Sequence, residues 1–339
     1  MNTITLPLRI GTLPKGEKNL ITDVPGVKVG HATIDTENHK TGVTVVLPPG
    51  ENLFTEKLTA ASFVLNGFGK TLGLVQVDEL GTIETPIALT NTLNVGIVHD
   101  ALIEYSIDVC RRSGIRLTSV NPVVCECNDA SLNDIQNRAV TKEHVFEAIH
   151  NASEDFEQGD VGCGKGTTCH GLKGGVGSAS RTLSFDGETY TVGILTQTNH
   201  GRMKDLIINN QPVGEHVYSR IRDNQPDKGS CIMILATDLP LTDRQLRRVI
   251  KRCCLGLARN GSYLGHGSGD IFVGFTTANR VSAGDNAFSD FRVLKESLLD
   301  DVFRACAEAS EEAVINSMLH AETVTGFNGN TRVSLKEFL

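Results

Sequence analysis

Short apolar runs bounded by turn residues recur along the 339-residue chain, at Thr44–Leu47, Ala61–Leu65, Pro122–Cys127, Thr191–Thr196, Cys231–Ala236 and Ile271–Thr276. Each predicts a β-strand. Asp186-Gly187, set between Arg181–Phe185 and Tyr190–Leu195, predicts a two-residue hairpin. Between these runs the spacing of apolar residues becomes helical. Asn94 to Arg112 carries Val98, Leu102, Tyr105 and Val109 on one face, and Thr141 to Glu157 carries Val145, Ala148 and Ile149. A third helix starts at a capping box, Thr242 with Gln245. It continues through Leu246, Val249, Ile250, Cys253 and Leu257, and stops at Asn260-Gly261. A fourth runs from about Leu294 to Leu319. Strands and helices in blocks predict a layered α/β fold. No Pro/Ser-rich linker and no repeat divides the chain, so residues 1–339 are expected to form one domain.

Composition narrows the partners. A hydrophobic share of 40% with 21% charged residues is that of a soluble chain with a sizeable core. The formal net charge of -8 argues against a nucleic-acid partner. The one basic cluster, Arg244, Arg247, Arg248, Lys251 and Arg252, recurs at helical spacing and reads as a solvated face. No run approaches the roughly 20 apolar residues of a membrane span. Met1 to Leu13 lacks the pattern of a secretory signal, so a cytoplasmic location is expected. The 9 cysteines include no CxxC pair, and reduced thiols without zinc are expected. Cys163, Cys169 and His170 could be imagined as ligands but lack a fourth partner. His31, His170, His200 and His266 are expected to be hydrogen-bonded structural residues.

Three kinds of chemistry compete for the remaining motifs. Gly159 to Lys165 matches GxxxxGK, but Gly166 stands where a P-loop needs Ser or Thr, and no buried strand precedes it. Gly267-Ser268-Gly269 is not a GxSxG elbow, and His266 beside it in sequence does not make a triad. The third option needs no histidine. A hydroxyl on the first residue of a chain lies beside its own α-amine, a base whose pKa of about 7.7–8.0 suits neutral pH. Such a nucleophile must be exposed by cleavage, and glycine before the bond relieves crowding as the hydroxyl attacks. Asn224 to Gly229 is a polar stretch running into the apolar strand that begins Ser230-Cys231. Gly177-Ser178, Gly261-Ser262 and Gly267-Ser268 also occur, so this chemistry alone does not single out Gly229-Ser230.

The longer motifs do. Ile21 to His31, Thr41 to Pro48, Glu84 to Thr92, Cys169 to Gly177, Gly229 to Asp238 and Gly267 to Phe272 occur in that order across nearly the whole chain. In these stretches the chain resembles the self-processing aminopeptidases that include L-aminopeptidase D-amidase/D-esterase and the β-peptidyl aminopeptidases. The resemblance implies a four-layer α/β/β/α sandwich, similar to N-terminal nucleophile hydrolases but differently connected. It implies cleavage between Gly229 and Ser230 into an α chain (1–229) and a β chain (230–339), assembled as a tetramer of such units. It implies Ser230 as nucleophile, Ser268 and Asp270 orienting it or its amine, and Asn199 serving the oxyanion. It implies Glu126 as the carboxylate that receives the substrate ammonium, with Asn128 nearby. Family members often carry Glu at the position of Asp270, and some carry tyrosine at that of Asn128. Asn66 to Gly73 departs from a glycine-asparagine stretch that helps line the pocket.

The expected activity is therefore removal of N-terminal residues from short peptides, or hydrolysis of aminoacyl amides and esters, with no metal or organic cofactor. An amidase acting inside oligomers of ω-amino acids, an acyltransferase of the ornithine acetyltransferase type, and a non-catalytic binding protein are the competing readings. Ser230 counts against the acyltransferase, which normally begins its new chain with threonine.

Overall fold

A computed structural model describes residues 9–222, 229–284 and 287–339. The strands are β1 (Lys28–Asp35), β2 (Lys40–Leu47), β3 (Glu56–Gly67), β4 (Thr82–Ile83), β5 (Ile87–Asn91), β6 (Val123–Cys127), β7 (Thr168–Cys169), β8 (Leu172–Lys173), β9 (Val176–Phe185), β10 (Glu188–Asn199), β11 (Ser230–Thr237), β12 (Gly269–Ser282), β13 (Val324–Thr325) and β14 (Thr331–Arg332). The helices are α1 (Leu74–Leu80), α2 (Val95–Arg112), α3 (Lys142–His150), α4 (Val213–Ile221), α5 (Asp243–Ile250), α6 (Cys253–Arg259) and α7 (Leu299–Leu319). Two main sheets result, ordered β1-β2-β5-β6 and β4-β3-β12-β11-β10-β9.

Side-chain alternation makes these sheets the two inner layers of a sandwich. Ile87, Leu89, Val123 and Cys125 of the smaller sheet meet Leu58, Leu195, Ile232, Ile234 and Val273 of the larger one between them. Ala88 and Val124 turn outward to Val98, Leu102, Val145 and Ala148 of α2 and α3. Cys231, Met233, Leu235 and Phe272 turn the other way, to Leu246 and Val249 of α5, Leu257 of α6 and Val302, Ala309 and Ala313 of α7. The layers are thus α/β/β/α, as the sequence resemblance implies.

Local chemistry explains the boundaries. Asp186 and Gly187 both take positive φ, 52° and 83°, which is the type I′ geometry that closes β9 onto β10. Thr242 Oγ1 accepts from the Gln245 amide at 3.2 Å while Gln245 Oε1 accepts from the Thr242 amide at 3.1 Å, completing the capping box. Three expectations need correction. The helix expected to reach Glu157 stops at His150, because Ser153 pairs with Val29 at the edge of β1. The helix expected through Leu257 breaks at Lys251–Arg252 into α5 and α6, and Gly256 of α6 comes so close to α7 that a Cβ there would lie 2.5 Å from the Glu311 nitrogen. On α2 the buried stripe turns through Ser106 and Cys110, leaving Tyr105 and Val109 only half-buried. The basic face of α5 is solvated, Arg244 and Arg248 pairing with Glu296 and Arg247 with Asp78.

Register places the chemistry. β11 runs parallel to β12 and antiparallel to β10, and β5 runs parallel to β6. The first residues of β11 and β12 therefore lie at the end of the sheet where β10 and β3 finish.

Candidate active site

Ser230 opens β11 as the central residue of a three-strand row. It pairs with Asn199, the last residue of β10, on one side and with Gly269, the first of β12, on the other. Its Oγ accepts a hydrogen bond from the Gly269 amide at 3.3 Å. Ile232, Ile234 and Ala236 face the space between the sheets, so alternation sends the Ser230 side chain there and Cys231 to the helix side. Cys231 makes a poor rival nucleophile. Burial, reinforced by the Asp270 charge, holds its thiol well above the usual range, although Thr196 opposes this.

Gly229 has a specific steric requirement. A Cβ built on it would lie 1.5 Å from the Asn199 carbonyl oxygen and 2.8 Å from the Cα of His200. Only a residue without a side chain fits where the chain enters β11. Residues 224–228, read from sequence as the polar approach to this junction, lie outside the described residues.

Asn199 is held by its oxygen. Oδ1 accepts from the Thr168 amide at 3.1 Å and from Thr168 Oγ1 at 3.4 Å, which fixes the amide plane and turns Nδ2 away from β7. Ser268 and Asp270 meet as expected for alternate residues of an extended segment, Ser268 Oγ donating to Asp270 Oδ1 at 2.9 Å. Asp270 is fully buried and lies opposite Cys231 in the ladder, one step from Ser230. Alternation puts it on the helix side with Phe272, behind the Ser230 main chain rather than in front of its hydroxyl.

Glu126, near the end of β6, is 2% exposed. Its Oε1 accepts from the Lys70 amide at 2.9 Å, and its Oε2 accepts from the Thr92 hydroxyl. The segment Phe68–Lys70 joins this carboxylate to the serine. A Cβ on Gly269 would lie 2.7 Å from the Phe68 oxygen and 2.9 Å from the Cα of Gly69, so both glycines permit the approach. The next residue, Cys127, brings its Sγ to 3.5 Å from the Ser230 carbonyl oxygen. Asn128 is exposed, and its Oδ1 accepts from the Ala130 amide at 3.1 Å in a local turn.

Sequence reasoning missed the residues that orient the others: Thr168 for Asn199, Thr92 and the Lys70 amide for Glu126, and Cys127 beneath Ser230. Thr92 closes the Glu84–Thr92 motif, and Lys70 lies in the divergent stretch from Asn66 to Gly73, so both sat on marked segments. The GxxxxGK-like stretch holds a short 3-10 turn at Gly162–Gly164 and opens no α-helix, and Lys165 there pairs with Asp35 and Asp160 at 2.8 and 2.9 Å. His31 is a hydrogen-bonded structural residue as expected, bound to Thr44 Oγ1 and the Glu157 carbonyl.

Comparison with known proteins places the chain in a family. The model of peptidase family S58 matches residues 19–332. A β-peptidyl aminopeptidase of Sphingosinicella microcystinivorans is 39% identical, over 93% of this chain and 85% of that protein. Among solved structures, a protein of Pyrococcus horikoshii OT3 superposes with a TM-score of 0.91 at 48% identity, covering 97% of this chain and 94% of that one. The L-aminopeptidase D-Ala-esterase/amidase of Ochrobactrum anthropi, described as a prototype of the serine aminopeptidases with a new variant of the Ntn hydrolase fold, gives 0.89 at 35% identity, covering 96% and 93%. Sequence and fold together establish that the chain belongs to peptidase family S58 and is a hydrolase of the N-terminal nucleophile type.

Proposed function

We propose that the chain cleaves itself between Gly229 and Ser230 and that the freed Ser230 then removes N-terminal residues from short peptides, aminoacyl amides or aminoacyl esters. The observation that carries this reading is the row Asn199–Ser230–Gly269, which sets the Ser230 hydroxyl on the Gly269 N–H with Asn199 as its cross-strand neighbour, at a junction only glycine can precede. In processing, Ser230 Oγ attacks the Gly229 carbonyl, the hydroxyl proton passes to the departing Ser230 nitrogen, and water hydrolyses the resulting ester. In turnover the freed α-amine takes the Oγ proton as Oγ attacks the substrate carbonyl, then gives it to the leaving amine. Water hydrolyses the acyl-enzyme. Asn199 Nδ2 donates to the oxyanion. Asp270, supported by Ser268, sits behind the main chain at Ser230 and stabilises the α-ammonium that forms.

Glu126 makes the activity that of an aminopeptidase. Its two hydrogen bonds fix the carboxylate without neutralising it, and a buried carboxylate holding an ammonium is a charge-assisted contact. Asn128 directly follows the same strand, and this reading places it beside the substrate. No described helix is long and apolar enough to cross a membrane. Nine cysteines, none of them in a disulfide, suit a reduced, cytoplasmic setting. Assembly into a tetramer of processed αβ units completes the reading. The test compares kcat/KM for free and N-acetylated aminoacyl p-nitroanilides. Wild type should favour the free amine by about 10- to 150-fold, the value of a charged hydrogen bond, and Glu126→Gln should erase most of that preference. Equal rates on wild type would overturn the assignment.

A further inference from the structure

Cys169 ends β7, His170 follows it, and His200 follows β10. A bridge between Cys169 and His200 and a 2.7 Å hydrogen bond from the His170 amide to the His200 carbonyl lay the two segments side by side. The Cys169 sulfur and one ring nitrogen from each histidine all lie within 4.8 Å of one another, and all three residues are buried. The sequence reading set Cys163, Cys169 and His170 aside as ligands for want of a further partner; the fold brings His200, not Cys163, to the other two.

Two details set this cluster apart from ordinary core histidines. His170 Nδ1 lies 3.0 Å from the Arg202 carbonyl, which can only accept, so Nδ1 donates to it and the ring orientation is fixed. That is how a backbone carbonyl orients a metal-binding histidine. His200 is 3% exposed, and neither of its ring nitrogens has a hydrogen-bond partner among the described residues. The backbone has been cleared for the ring: Gly201 takes φ +88°, and a Cβ there would lie 2.5 Å from the His170 imidazole.

We propose that Cys169, His170 and His200 form a binding site for a borderline-soft divalent cation of the zinc class. One thiolate and two imidazoles match that preference, and a water fills the fourth tetrahedral position. The Cys169 thiol gives its proton to solvent on binding. Bond lengths of about 2.0–2.3 Å would draw the ligand atoms to roughly 3.3–3.6 Å from one another, a small contraction of the arrangement described. The site would clip β7 to the end of β10. Cys169 follows Thr168 and His200 follows Asn199, so the ion would brace the hydrogen bond that orients the Asn199 amide. Binding itself does not rest on the role proposed for Ser230.

The test uses the full-length protein, stripped with chelator and titrated with Zn2+ and with Co2+ as a spectroscopic probe. One equivalent should remain after gel filtration, with a thiolate-to-Co2+ charge-transfer band. X-ray absorption at the zinc edge should show one sulfur and two imidazole nitrogens. His200→Phe and Cys169→Ser should lose the bound equivalent and the band. Substoichiometric zinc, a first shell without sulfur, or full binding by folded His200→Phe would each overturn the proposal. The absorption measurement decides on wild type alone if a variant does not fold.

Discussion

Asn199 gives the sharpest separation of a catalytic from a structural role, because its two functional atoms face different partners. Oδ1 accepts from Thr168, whereas the proposed chemistry uses only Nδ2. Asn199→Asp keeps the acceptor and deletes the donor; Asn199→Ala deletes both. If the residue only pinned β7 to β10, aspartate would serve as well as asparagine. If it donates to the oxyanion, aspartate must be at least as damaging as alanine, since it also sets a negative charge beside a developing one. Loss of one oxyanion donor lowers kcat by about 10²–10³. Loss of the Thr168 bond costs about 0.5–1.5 kcal/mol of stability. Asn199→Asp should therefore fold with nearly wild-type stability and lose about 10²–10³ in kcat, whereas Asn199→Ala should lose a similar factor and about 1 kcal/mol. Denaturant midpoints and steady-state rates on processed enzyme measure both. A folded, processed Asn199→Asp enzyme with kcat within about threefold of wild type would refute the oxyanion role.

Two further perturbations test the packing and the buried charge. Gly229→Ala would place a Cβ 1.5 Å from the Asn199 oxygen, so the junction must shift by more than an ångström; self-cleavage followed by gel densitometry should slow by about 100-fold, the usual cost of such a misplacement, and an unchanged rate would contradict the packing. Burial raises the pKa of Asp129 from 3.8 to about 7, opposed by hydrogen bonds from Thr41 and Asn133. The folded state then binds this proton more tightly than the unfolded one, so its contribution is present below pH 3.8 and is lost as pH rises towards 7. That one group should lower stability by about 1.4 kcal/mol per pH unit in the window. Asp129→Asn should flatten the slope in urea titrations between pH 4 and 7, and an unaltered slope would place the proton elsewhere.

The strands were legible because each alternating or apolar run found a partner sheet, and the hairpin because Asp186-Gly187 accepts positive φ at both positions. What periodicity could not show was where tertiary pairing cuts a helix short, as Ser153 does by joining β1, or where close packing against α7 accompanies the break between α5 and α6. Within the site, Ser268 and Asp270 were readable as alternate residues of an extended segment, and they do meet. The orientation of Asn199 by Thr168 was not readable, because the two lie on segments 31 residues apart that only the fold brings together. His200 illustrates the same limit: a single histidine in sequence gives no hint that Cys169 and His170 will lie against it.

The central claim is that Ser230 becomes an amino terminus by its own chemistry, and it is tested most directly by intact mass and N-terminal sequencing of the purified protein. Wild type should yield two chains, the second beginning Ser-Cys-Ile-Met, and Ser230→Ala should remain one full-length, inactive chain. An uncut wild-type chain that still hydrolyses aminoacyl amides, or a new terminus at Cys231, would contradict it.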